Sequence, residues 1–263
     1  MKLLQINKEN YFSNEADREY FSVSQFKSFM SCEAKTVAKL NEEWVDGDDD
    51  AFILGSYVHA WSEGSNLDEF KAKHPQMFKK DGTLLAKYSI GDKMIETLKN
   101  DPLISKVREG EKEVILTVEM FGVMWKAMID IYNPDKRYFA DLKTTRDIKL
   151  RMWNEDKKQK ENFIVVYDYV LQMAVYAELE RINSGRAEHL QPHIIAVSKE
   201  NIPDKAVILI EKEYIQEKLN EVEFLLPRFI DVKSGKREPH RCECCDYCKS
   251  TKVLNKVISF TEI

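Results

Sequence analysis

Two stretches decide the reading of this chain: Met124-Trp125-Lys126-Ala127-Met128-Ile129-Asp130, and Tyr138-Phe139-Ala140-Asp141-Leu142-Lys143-Thr144. Each is a short apolar run that reads as a buried strand and leads to an aspartate. Residues i and i+2 of a strand share a face. Asp141 and Lys143 therefore project together, and a neighbouring strand can set Asp130 beside them. Two carboxylates about 4 Å apart repel by roughly 4 kcal/mol at an effective dielectric near 20. A divalent cation between them reverses that sign. Mg²⁺ takes hard oxygen ligands and keeps several waters, so one or two carboxylates plus a phosphate suffice. Lys143 is a compact charge that can hold an attacking water or offset charge on a phosphorane. A partly buried salt bridge at a strand end fits the same short pattern, so the reading turns on companion residues.

Three companions are present. Upstream, Gly55-Ser56-Tyr57-Val58-His59 places a histidine on a helical pattern. Glu113, in Glu111-Lys112-Glu113-Val114-Ile115, precedes the first aspartate strand. Downstream, Gln172 and Tyr176 lie one helical turn apart and share a face. Taken singly, His59 fits a core histidine, Gln172 and Tyr176 a half-buried polar pair, and Glu113 a solvated strand residue.

In that order, His59, Glu113, Asp130, Asp141-x-Lys143 and Gln172-x-x-x-Tyr176, the chain resembles the PD-(D/E)xK nucleases. It is most similar to the branch holding RecE-type exonuclease VIII, lambda exonuclease and the RecB, AddB and Cas4 nuclease domains. The resemblance implies an α/β (α+β) core with a central mixed β-sheet flanked by helices. It implies His59, Asp130, Asp141 and the Leu142 carbonyl as ligands of Mg²⁺ or Mn²⁺, with Lys143 as the catalytic lysine. Gln172 and Tyr176 would position the lysine, the water or the DNA phosphate, and Glu113 matches the glutamate that often precedes the first metal strand and would join the catalytic set. The implied activity is metal-dependent hydrolysis of phosphodiester bonds from DNA ends, 5′-to-3′ on duplex DNA. Phage-type relatives imply a single-strand annealing recombinase as partner, and homo-oligomers occur among them. A Cas4- or AddB-like nuclease acting on single strands is the alternative within the fold. A non-catalytic nucleic-acid-binding module is the alternative outside catalysis.

Four of the five cysteines crowd into Arg241-Cys242-Glu243-Cys244-Cys245-Asp246-Tyr247-Cys248, and the fifth is Cys32. No signal peptide opens the chain, which points to a reducing cytoplasm, where clustered cysteines read as metal ligands. The C-x-x-C-x-x-C spacing of Cys242, Cys245 and Cys248 supplies three thiolates, and either Cys244 or Cys32 can supply a fourth. Ser22-Val23-Ser24-Gln25-Phe26-Lys27-Ser28-Phe29-Met30-Ser31-Cys32 is similar to the opening helix of AddB and Cas4 nucleases. That resemblance implies Cys32 as the fourth ligand of a [4Fe–4S] cluster. Tetrahedral zinc on the same residues is the alternative, and free thiols on a C-terminal loop are the bland one.

Composition bounds the rest. The 263 residues suit one domain, 43% hydrophobic content supports a proper core, and no apolar run is long enough to span a bilayer. A net charge of −5 is unusual for a general nucleic-acid binder. The acid is concentrated from Asn41-Glu42-Glu43 through Asp48-Asp49-Asp50. Basic residues cluster just after the second aspartate strand, where Arg146, Lys149 and Arg151, followed by Lys157, Lys158 and Lys160, can track a phosphate backbone. An irregular lead-in is expected over 1–21, one helix from a Ser22 or Ser24 cap to about Lys39, and a second over Ala51–Glu63. A variable insertion covers 64–92, with a helix from Tyr88 to Lys99. Strands are expected at 113–119, 123–132 and 138–143, then one helix at 163–184 stopped by Gly185. Strands at 193–198 and 206–210, a helix over 214–232 and a cysteine-rich tail from 233 to 263 complete the expectation.

Overall fold

The computed structural model describes residues 3–47, 50–64, 67–154 and 157–262. Asp48 and Asp49 of the acidic stretch, residues 65 and 66 of the insertion and residues 155 and 156 of the basic segment lie outside them. The helices in chain order are α1 (Asn14–Glu19), α2 (Val23–Ser31), α3 (Glu33–Leu40), α4 (Asp50–Glu63), α5 (Leu67–Lys73), α6 (Ile90–Lys99) and α7 (Pro102–Val107), then α8 (Phe163–Val166), α9 (Tyr169–Ser184), α10 (Lys212–Lys233) and α11 (Asp246–Ser250). The strands are β1 (Glu111–Met120), β2 (Val123–Asn133), β3 (Tyr138–Thr145), β4 (Met152–Asn154), β5 (Gln159–Glu161), β6 (Gln191–Ser198) and β7 (Lys205–Leu209).

Five strands form a mixed sheet in the order β1-β2-β3-β6-β7, with β4 and β5 apart as a small hairpin. Among the pairings of these five strands only β3–β6 is parallel. The turn between β1 and β2 is made by Phe121 and Gly122, both at positive φ (52° and 79°), the tight connection that matches strand twist. Helices cover both faces. On one side Phe26, Phe29, Leu171, Val175, Leu219 and Phe229 pack around Trp125 and Ile129. On the other Val58, Met94, Leu98 and Ile104 pack on Leu142, Ile195 and Val197. This is the mixed sheet between helical layers that the resemblance to PD-(D/E)xK nucleases implied.

The ladder between β2 and β3 holds only from Ile131–Ala140 to Asn133–Tyr138. Beyond it the strands part. The freed edge of β2 is taken by the lead-in segment, where the Phe21 N–H donates to the Met124 carbonyl and the Lys126 N–H to the Phe21 carbonyl, both at 2.8 Å. The expectation of an irregular stretch over 1–21 is thus corrected: α1 and this bridge give it a place in the sheet.

Two expected helices are each two. The first breaks at Cys32, whose extended backbone (φ −162°) lets its Sγ accept from the Lys35 N–H and cap α3. The apolar stripe continues through Cys32, so periodicity alone hides the break. The other breaks at Tyr167 and Asp168, where Asp168 adopts φ 49° and turns the chain into α9. The 64–92 insertion is ordered where described, burying Met77 and Tyr88 against Leu54 and Tyr57 of α4. Short α7 and the β4–β5 hairpin carry too few residues for a periodic signal.

Candidate active site

The parting of β2 and β3 brings the expected residues together. Asp130, at the start of the gap, accepts the Leu142 N–H at 2.9 Å, so its carboxylate stands in for a ladder bond. Asp141 is 2% exposed. Its Oδ1 accepts from Gln172 Nε2 at 2.7 Å, and its Oδ2 lies 2.6 Å from Lys143 Nζ. His59, on α4, holds Nδ1 3.4 Å from Asp130 Oδ2. Its helix comes close to β3 because Gly55, one turn earlier, has no side chain: a Cβ there would lie 3.3 Å from Thr144 Oγ1. The helix of one layer thus delivers the imidazole and the helix of the other delivers the amide.

The electrostatics follow from this crowding. Burial first, and the Asp141 charge second, push the Asp130 carboxyl up to about 6, despite the opposing effects of His59, Lys143 and the Leu142 N–H. Burial works against the Lys143 charge, but Asp141 and Asp130 outweigh it and hold the ammonium form above its usual range. Tyr176 lies in the same field: burial, then Tyr11, Asp141 and Asp130, raise its phenol well above the ordinary value. Glu113 faces the place of Asp130 across the β1–β2 ladder, between the pairs Lys112–Ile131 and Val114–Ile129. It has φ 51° and is salt-bridged to Lys8.

Four residues escaped the sequence reading. Glu63, one turn beyond His59, is raised to about 7 by burial and then by the charge of Glu113. Tyr11 is buried with its phenol raised by burial, Asp17 and Asp130. Tyr169, within the stretch expected as one helix over 163–184, puts its ring 4.8 Å from Lys143 Nζ and 5.3 Å from Lys27 Nζ. Lys27 also donates to the Tyr167 carbonyl. Burial and the Lys143 charge lower the Lys27 ammonium to about 8. Tyr11 and Lys27 arrive from distant segments as single residues, whereas Glu63 lies four residues from His59 and Tyr169 three from Gln172, helical spacings that could have signalled both. Arg146, Lys149 and Arg151 are exposed beyond the end of β3, and Lys149 Nζ lies 3.8 Å from Asp204 Oδ2.

The donor set fits a divalent cation. Asp141 Oδ2 is buried and receives no hydrogen bond of good geometry, in spite of the nearby ammonium. This orphaned carboxylate oxygen and the Asp130 carboxylate are hard oxygen donors of the kind Mg²⁺ or Mn²⁺ takes, with the His59 imidazole as a borderline third.

The cysteines resolve into a group of four. The sulfurs of Cys32, Cys242, Cys245 and Cys248 all lie within 4.8 Å of one another. Cys32 Sγ is 3.6 Å from Cys248 Sγ, which is 3.9 Å from Cys242 Sγ. Cys244 is exposed and outside the group, so Cys32 is the fourth member. Backbone N–H groups of Lys35, Cys245 and Cys248 donate to Cys32, Cys242 and Cys245 sulfurs at 3.4, 3.3 and 3.4 Å. The backbone N–H groups of Cys244 and then Cys245 lower the Cys242 thiol to about 6, whereas burial pushes Cys248 up to about 12. The Glu33 carboxylate fastens the approach, accepting two bonds from Arg228 at 2.5 and 2.8 Å and the His240 N–H at 2.7 Å.

This fold and motif place the chain in the PD-(D/E)xK nuclease superfamily. Residues 22–251 match the family described as a PDDEXK-like domain of unknown function (DUF3799), and the chain belongs to that family. The crystal structure of a "putative exonuclease" from Eubacterium rectale is 38% identical, covers 98% of both chains and superposes with a TM-score of 0.92. A second solved structure, SSO0001, is 13% identical with a TM-score of 0.30, covering 85% of this chain and 93% of that one. No curated protein matches. Among the described residues no helix is long and apolar enough to cross a membrane.

Proposed function

We propose that this protein is a divalent-metal-dependent DNA nuclease that hydrolyses phosphodiester bonds from DNA ends. The observation that carries the reading is the meeting of His59, Asp130, Asp141, Lys143 and Gln172 where β2 and β3 part. His59, Asp130, Asp141 and the Leu142 carbonyl would hold Mg²⁺ or Mn²⁺, which when bound polarises a phosphate and acidifies a water. The chain's own groups do the rest. The Leu142 N–H fixes Asp130. Gln172 fixes the rotamer of Asp141. Lys143, held between Asp141 and the Tyr169 ring, keeps its proton and presents a cation where phosphorane charge develops. Glu113 and Tyr176 border this centre, and Arg146, Lys149 and Arg151 extend a basic margin for the backbone of the DNA.

Duplex preference, 5′-to-3′ polarity, a phage-type recombination role with a single-strand annealing recombinase, homo-oligomers and a cytoplasmic setting all rest on the resemblance to RecE-like enzymes. The name of the Eubacterium rectale relative supports action at ends. The cysteine group favours a second reading, a Cas4- or AddB-like nuclease acting on single strands. For its metal the sulfur spacing favours zinc. A single ion with Zn–S near 2.3 Å sets tetrahedral sulfurs about 3.8 Å apart, whereas a [4Fe–4S] cluster gives each thiolate its own iron and spreads the four far wider.

The test is Mg²⁺-dependent digestion of a linear duplex labelled at one 5′ end, beside a closed circle and an unpaired strand, with Asp141→Ala as control. Loss of linear DNA with wild type alone, sparing the circle, is the expected result, and label release gives polarity. No digestion of any substrate with Mg²⁺ or Mn²⁺ refutes the catalytic reading and leaves a binding module.

A further inference from the structure

We infer that Lys27 is a substrate-binding residue that holds a DNA phosphate beside the scissile one. The inference rests on the nuclease reading and adds a contact to that same site.

Helix α2 is fixed so that Lys27 reaches the cleft. Ser22 caps it, accepting the Gln25 N–H at 3.2 Å, and Phe26 and Phe29 are buried in the core. Lys27 extends from the flank of that helix to the break between α8 and α9. There its Nζ donates to the Tyr167 carbonyl. It also lies 5.3 Å from the centroid of the Tyr169 ring, which carries Lys143 Nζ at 4.8 Å. Two further contacts pin the break. The Tyr167 hydroxyl donates to Met152 Sδ at 3.8 Å, and Lys218 Nζ lies 3.1 Å from Asp168 Oδ1. Lys27 thus meets a fixed acceptor beside the catalytic lysine.

Its charge is unmatched there. Lys143 has Asp141 at 2.6 Å, and Lys218 has Asp168 and, at 2.7 Å, Glu221. Among the described residues Lys27 has no ion pair, and its acceptor at Tyr167 is a neutral carbonyl. A half-buried ammonium costs free energy unless an opposite charge meets it, and a second ammonium on the same ring adds repulsion. An anion entering the cleft relieves both. The anion that the proposed reaction brings is the DNA backbone. An ammonium has three donors, so two remain for phosphate oxygens once Tyr167 has taken one. Lys143 meets the scissile phosphate, and Lys27, on the same ring, falls to a neighbouring one. That neighbour is either the adjoining phosphodiester or the terminal phosphate of the strand.

The experiment measures binding of the intact protein to a short blunt duplex in EDTA, where nothing is cut, across a salt series. Lys27→Gln keeps a donor for the Tyr167 carbonyl and removes the charge. Loss of one phosphate contact makes the plot of log K against log salt shallower by about 0.9, which is about 8-fold weaker binding at 0.1 M salt. Lys27→Arg restores the slope. In Mg²⁺ the same loss falls on KM, with kcat little changed. Single uncharged methylphosphonates near the end, and ends with or without a terminal phosphate, locate the contact. At one of these positions the substitution weakens wild type and leaves Lys27→Gln unaffected. A lysine that only braces the α8–α9 break predicts the opposite pattern: lower melting temperature and kcat in Lys27→Gln, with the wild-type salt slope. That pattern overturns the inference, as does additivity of Lys27→Gln with every phosphate substitution. The two readings fail separately. Absence of cleavage in Mg²⁺ and Mn²⁺ with the change of slope intact sinks the nuclease alone. Cleavage with a Lys27→Gln protein unaltered in slope and KM sinks the phosphate contact alone.

Discussion

The main-chain N–H of Leu142 donates to Asp130 Oδ2 at 2.9 Å, making a carboxylate the last rung between two strands as they separate. The carboxylate that opens the cleft is therefore held by the strand that carries Asp141 and Lys143. The same contact crowds two acids, and that crowding has a stability cost in the metal-free protein.

Asp130 is raised to about 6 by burial and then by Asp141. A raised carboxyl binds its proton more tightly in the folded chain, so its contribution is complete below the unfolded value near 4 and lost as pH rises through about 6. In EDTA, the wild-type melting temperature relative to Asp130→Asn is expected to fall across that window, since asparagine keeps an acceptor for Leu142 and loses the charge. Mg²⁺ should raise the melting temperature of wild type and not of the variant. Parallel pH curves for the two proteins would contradict the electrostatic account.

His59 depends on a missing side chain. A Cβ on Gly55 would lie 3.3 Å from Thr144 Oγ1. In Gly55→Ala, the helix propensity gain of about 0.5–1 kcal/mol offsets the crowding, leaving stability within about 1 kcal/mol. Gly55→Val adds methyls that push α4 off β3 and carry His59 with it. A misplacement on the order of 1 Å can cost about 10²-fold in rate. Comparison of kcat/KM and melting temperature for the three proteins checks this, and wild-type turnover by Gly55→Val would show that helix spacing does not set the site.

The site was legible where its signals are local. Asp141 and Lys143 sit two apart on a strand, Gln172 and Tyr176 four apart on a helix, and both spacings map directly onto a shared face. The apolar runs ending at Asp130 and containing Asp141 exposed the sheet for the same reason. What escaped notice is tertiary. Cys32 continues an apolar stripe, so only its sulfur's partners two hundred residues on reveal that a helix must break there. Tyr167 and Asp168 read as helix for the same reason, and Lys27 and Met152 reveal otherwise. Glu63 looked like the end of a helix because its partner, Glu113, comes from a different strand.

Glu33 ties α3 to α10 and the tail. Burial alone would raise its carboxyl, but the Arg228 fork and the His240 N–H outweigh burial and hold it below the ordinary 4.5. A depressed carboxyl contributes stability above the unfolded value, and that contribution disappears as pH falls through the lower folded value. Glu33→Gln leaves the buried donors poorly met and is expected to cost about 1–3 kcal/mol at pH 7. Urea unfolding checks this, and the difference from wild type should shrink in acid. An equal difference at pH 7 and pH 3 would show that the charge is not what counts.

The four cysteines make the last prediction. Two amides donate within the Cys242–Cys248 loop and one caps α3 onto Cys32, so the sulfurs are pre-arranged as one small tetrahedron joining the two ends of the chain. Protein purified without chelator is expected to hold one zinc per chain, with neither the iron nor the visible absorbance of an iron–sulfur cluster. Cobalt exchanged into it should show the intense visible bands of tetrahedral thiolate coordination. Cys248→Ser, at the most buried sulfur, should lose the metal and melt well below wild type, while Cys244→Ser should keep both metal and stability. Because α2 ends at Cys32 and carries Lys27 to Tyr167 and Tyr169, metal loss should also loosen that edge of the cleft. This can be read as faster amide exchange over residues 23–31. Iron with acid-labile sulfide in fresh anaerobic protein would defeat the zinc assignment, and a Cys244→Ser protein without metal would redraw the ligand set.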